Sequence, residues 1–151
     1  MEKPHYPILS SPDNYWYEFD SVSPEKTIRK AVAYYLYSEE EDIYQLVFGN
    51  YVDSKIDTMD KSNNKDMKMV LTTVIQTLIN FLELYPQKSV IFTGSTQSRT
   101  RLYRATISKL LDNLDDSYKV YGISYELIRE PFNPDSEYFA YLISKNYGNE
   151  N

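Results

Sequence analysis

The 151 residues contain no cysteine. Disulfides, thiolate zinc sites and a cysteine nucleophile are thereby excluded, and the absence fits a reducing compartment. Histidine is nearly absent too: the one example, His5, sits in a proline-bearing stretch at the N-terminus. Ser95, which follows a glycine, therefore has no base for a Ser-His-Asp triad, and a histidine-type metal site has no ligands. No apolar run reaches the roughly 18 residues of a membrane span. The opening MEKPHYPILSSPD has no signal-peptide core, so the cytoplasm is the expected compartment and no membrane partner is expected. Positive charge is scarce: 16 Lys and Arg stand against 22 Asp and Glu, a net charge of −6. A domain built to hold duplex nucleic acid is usually basic. That partner is disfavoured, while a local basic site stays open.

Tyrosine is what the chain has in excess, with 16 residues. Tyr suits a half-buried pleated surface and is also favoured at interfaces. A length of 151 residues predicts one domain with a real core. Residues 1–14 carry Pro4, Pro7 and Pro12 and read as an extended N-terminal arm. Residues 15–145 read as a single α/β domain, and residues 146–151 as a frayed polar tail.

Within that domain, alternation predicts strands over 15–19, 27–37 and 43–48. A long polar connection, 49–64, comes next. Met67, Val70, Leu71, Val74, Leu78 and Phe81 then recur at three- and four-residue steps and predict a helix over 67–84, ended by Pro86. Asn63 or Asn64 is a suitable cap, and Asp66 falls in the expected first turn. A short apolar strand at 89–93 runs through Gly94 into a second helix from about Thr96 to Leu114, with Tyr103, Ile107, Leu110, Leu111 and Leu114 as its stripe. Strands at 118–123 and 137–145 close the chain. The expected fold is α+β and two-layered: a mixed five- to six-stranded sheet with two helices packed on one face, in the order β-β-β-α-β-α-β-β. Crossovers through the helices predict parallel neighbours in the middle of the sheet.

The stretch SVIFTGSTQSRTRLY, residues 89–103, is the most informative. A strand that delivers its carboxyl end to a helix N-terminus leaves backbone N–H groups free to meet an anion. Gly94 allows close backbone approach, Ser95 and Thr96 add hydroxyls, and Arg99 falls on the core side, one turn before Tyr103. Arg104 lies on a flank, and Arg101 points to solvent. The spacing is not that of a P-loop. Asp57, Asn63, Asn64 and Asp66 are further candidates, because open sheets bind ligands beyond strand carboxyl ends. An alternative reading of the same residues is structural: Ser95 or Thr96 caps the helix, and Arg99 pairs with Asp57 or Asp66.

Five motifs carry a family resemblance: YQLVFG at 44–49, ID at 56–57, SNNKD at 62–66, GSTQSRTRLYR at 94–104 and YG at 121–122. In these the chain resembles an uncharacterised family of small bacterial proteins, over about residues 15–145. Asn50 and Lys65 depart from the Asp and Gly of that pattern. The resemblance implies a shared fold and no activity. The expected function is binding of a small phosphate- or nucleotide-like anion around Gly94–Arg99, with no cofactor or metal. The alternative is a non-enzymatic module of an accessory or defence locus that meets a protein partner through Tyr-rich strand faces.

Overall fold

The computed structural model describes residues 4–58, 66–94, 97–111 and 117–146, apart from the side chains at 99, 102, 106 and 109–111. The strands are β1 (Leu9–Ser10), β2 (Trp16–Val22), β3 (Thr27–Ser38), β4 (Ile43–Val52), β5 (Lys55–Asp57), β6 (Ser89–Phe92), β7 (Tyr118–Ile123), β8 (Arg129–Pro131) and β9 (Ala140–Lys145). The helices are α1 (Met67–Leu84) and α2 (Gln97–Leu111). Leu114 of the expected second stripe and residues 147–151 of the expected tail lie outside the described residues.

The expected two-layer fold, with five or six strands and both helices on one face, is overturned. Among the described residues nine strands form one mixed sheet, ordered β1-β2-β3-β4-β6-β9-β7-β8, with β5 also on β4. The extra strands β1, β5 and β8 are two or three residues long, too short to show a period of two. Pro131 in β8 is tolerated because that strand lies at the sheet edge. The crossover through α1 does make β4 and β6 parallel, with Ile43 opposite Ser89. The next crossover does not make β6 and β7 neighbours, because β9 lies between them and runs antiparallel to both. Its run Ala140–Ile143 is at most 5% exposed, as expected of a strand covered on both faces.

Two compact units divide the chain: Met1–Tyr35 with Leu46–Phe81, and Leu36–Gln45 with Leu82–Asn151. In the first, β2 alternates strictly, burying Tyr17, Phe19 and Ser21. The stripe Val70, Leu71, Val74, Ile75, Leu78 and Phe81 of α1 is buried. Phe81 stacks on Tyr34 with ring centroids 4.3 Å apart and meets the edge of Tyr15 at 5.4 Å. Two threonines share that apolar stripe without cost. Thr73 and Thr77 are fully buried, and their hydroxyls bond to the carbonyls of Met69 and Val74, satisfying buried polar groups within the helix. The Tyr34 and Thr77 hydroxyls are 2.8 Å apart. Asn80 Nδ2 donates to the Tyr17 hydroxyl at 2.8 Å. By length and mean hydropathy, 1.3, α1 could cross a membrane. Half of that window is buried inside the protein, as in a core helix.

In the second unit, Ile43, Ile91, Ala140 and Leu142 form a buried cluster with Tyr121 and Ile123 against it. Phe92 meets Tyr103 of α2 and Tyr141 of β9, both at 5.6 Å. Glu83 takes two donors, the Tyr118 hydroxyl at 2.6 Å and Lys145 Nζ at 2.7 Å. The Lys145 bond first, and the Tyr118 bond second, hold the Glu83 carboxyl below its ordinary value of 4.5, against the opposing effect of burial. A carboxyl depressed on folding stabilises above its unfolded value and loses that contribution as pH falls through the folded one. Stability is therefore expected to fall as acid is added below about pH 4.5. Glu83→Gln is expected to flatten that slope, read from urea unfolding at a series of pH values.

Candidate functional site

The turn after β6 is tied down on both sides. The Thr93 hydroxyl donates to the Phe139 carbonyl at 2.5 Å. The Gly94 N–H donates to Thr100 Oγ1 at 3.0 Å, and the Tyr141 hydroxyl reaches the Thr100 carbonyl at 3.1 Å. Thr100 is buried, so it ties the first turn of α2 to the strand ends.

The helix that starts beyond Gly94 carries charge of one sign. The α2 sequence QSRTRLYRATISKLL contains Arg99, Arg101, Arg104 and Lys109 and no Asp or Glu. A helix dipole is positive at its N-terminus, so cations there are unfavourable by about 0.3–1 kcal/mol each at the surface. One carboxylate offsets part of this. Glu137 accepts Arg101 Nε at 3.0 Å and lies 3.7 Å from an Arg104 nitrogen. Arg104 also donates to the Ser136 carbonyl at 2.7 Å. Two guanidiniums thus share one half-exposed carboxylate. Arg101, expected to be solvated, is half-exposed but ion-paired. Glu137, expected within the last strand, sits in the loop before β9. Sequence reasoning missed it, because it lies 36 residues from Arg101 and no local pattern joins them.

Ser95, Thr96, Asn63 and Asn64 lie outside the described residues, as does the side chain of Arg99. The described candidates separate by unit. Gly94 and Arg104 belong to the surroundings of α2. Asp57 and Asp66 belong to the first unit. Asp57 is exposed on β5 opposite Asn50. Asp66 precedes α1 instead of sitting in its first turn, and its carbonyl accepts the Val70 N–H at 3.0 Å.

The Asp66 side chain is engaged within the protein. Its Oδ2 accepts the Tyr6 and Ser21 hydroxyls, each at 2.5 Å. The Tyr6 N–H donates to Thr73 Oγ1 at 2.9 Å. The stretch expected as an extended N-terminal arm is held to the first unit at Tyr6, which is 8% exposed. Burial first, and the bond to Asp66 second, push the Tyr6 hydroxyl above its ordinary value. Asp66→Ala would remove an acceptor that the Tyr6 and Ser21 hydroxyls share, in a place where Ser21 is fully buried. A loss of about 1–3 kcal/mol is expected, measured by urea unfolding at neutral pH.

The chain matches the sequence model of a family of unknown function (DUF6934) over residues 2–146 and belongs to that family. No curated protein matches it, and no solved structure does.

Proposed function

We propose that the chain binds a small phosphate- or nucleotide-like anion at the start of α2. The observation that carries this reading is the helix start itself. Arg99, Arg101 and Arg104 crowd its first turns in a chain of net charge −6, and the carboxylate at hand, Glu137, is shared between Arg101 and Arg104. An anion placed there satisfies the dipole and the guanidiniums together. In this reading Arg99 is the principal contact and Arg104 the second, with Gly94 leaving room for the ligand and Ser95 and Thr96 offering hydroxyls. Asp66 has no part in it, because its carboxylate serves Tyr6 and Ser21.

Calorimetric titration with inorganic phosphate, pyrophosphate and ADP tests the reading. The expected result is saturable heat with at least one of the three, lost in Arg99→Ala while the circular dichroism spectrum is unchanged. Absence of heat with all three at millimolar concentration overturns it.

A further inference from the structure

The hairpin tip between β7 and β8 presents apolar side chains where turn chemistry and solubility both favour others. The Leu127 N–H bonds to the Ser124 carbonyl at 2.8 Å, and the Ser124 N–H bonds to the Ile128 carbonyl at 2.9 Å. A tight turn followed by one left-handed residue normally places Gly or Asn in that last position. Here it is Leu127, with φ of 64°. Leu127 is also 71% exposed, next to Ile128 at 63% and Tyr125 at 51%. The Tyr125 ring lies 6.1 Å from that of Phe139, itself 39% exposed. A branched apolar residue held in a left-handed conformation and turned to water is an outlier of the kind that collects at functional sites.

The rim supplies the chemistry of the partner. Glu126 and Glu130 flank the tip and have no cationic partner among the described residues. Arg129, the hairpin cation next to the tip, is turned to Glu41 at 3.5 Å, and Lys119 lies at the far end of β7. The tip is therefore apolar with a negative border. We infer that it docks a protein segment presenting an apolar face edged by Lys or Arg. An anionic bilayer would meet the same carboxylates with repulsion, and a second copy of the tip would bring like charges together.

The test uses a fluorescein-labelled amphipathic peptide of Leu and Lys, with a Leu and Glu peptide of the same pattern as control, at physiological salt. The full chain is expected to bind the Lys peptide and not the control, with amide shifts centred on residues 124–130. Leu127→Gly keeps the turn, and its melting temperature is expected to rise by a few degrees as the left-handed strain is relieved. Its affinity for the peptide is expected to fall about tenfold or more, and Glu126→Lys/Glu130→Lys is expected to weaken binding as well. Equal binding of both peptides overturns the inference, as does equal affinity of Leu127→Gly and the unaltered chain. So does self-association that Leu127→Gly abolishes, which would assign the tip to a second copy. Binding to phosphatidylcholine vesicles that depends on Leu127 would overturn it too, assigning the tip to a lipid surface.

Discussion

Phe81→Ala is expected to lower the free energy of unfolding by about 3–5 kcal/mol, a large share of the roughly 5–15 kcal/mol that holds an ordinary domain. Phe81 has no exposed surface. Its ring lies flat on Tyr34, with 6° between planes, and takes the edge of Tyr15. Truncation loses the transfer energy of the ring and leaves a space that Tyr34 cannot fill, because its hydroxyl is held at Thr77. Phe81→Leu keeps most of the volume and is expected to cost less than half as much. Urea unfolding followed by tyrosine fluorescence separates the two. Equal costs would mean that the stacked ring and its aromatic contacts, as distinct from bulk burial, dominate at this position.

The second large effect is at Gly49. A Cβ there would stand 2.2 Å from the Asp57 carbonyl oxygen, 2.7 Å from its carbon and 3.0 Å from Thr58 Cα. All three are backbone atoms, so no rotamer change relieves the clash. β5 must move off β4, breaking the pairing of Tyr51 with Ile56. Gly49→Ala is expected to cost about 1–3 kcal/mol or more and to speed hydrogen exchange at 55–57. At Gly122 the obstacle is a side chain. A Cβ would lie 2.2 Å from the Tyr138 ring, which is buried and held by the Asn133 N–H at its hydroxyl. Gly122→Ala is therefore expected to disturb Tyr138 and its neighbours Phe132 and Tyr141 while leaving β5 in place.

These two positions show what the sequence carries and what it withholds. Both glycines stand in motifs visible in the chain, YQLVFG and YG, yet the reason for each lies in a segment further along it, Asp57 for one and Tyr138 for the other. Periodicity locates α1 and most of the longer strands, because their apolar residues recur over many turns or pleats. It cannot locate β1, β5 or β8, which are too short to establish a period. Nor does it place β9 between β6 and β7, because neighbours in the sheet need not be neighbours in sequence. The unbroken apolar run Ala140–Ile143 is the available sign of a central strand. At the turn after β6, the cluster of Arg residues is legible as a local pattern. Glu137, which pairs with two of them, is not. Nor is the use of Asp66 by Tyr6 and Ser21, since those hydroxyls come from other segments.

The most direct measurement is a titration of the ¹⁵N-labelled chain with inorganic pyrophosphate, followed by amide chemical shifts, with the Arg99→Ala chain beside it. The proposed site predicts saturable shifts concentrated between Gly94 and Arg104, their loss in Arg99→Ala, and a melting temperature that rises with ligand only in the unaltered chain. Shifts scattered over the surface, or the same in both chains, would contradict it.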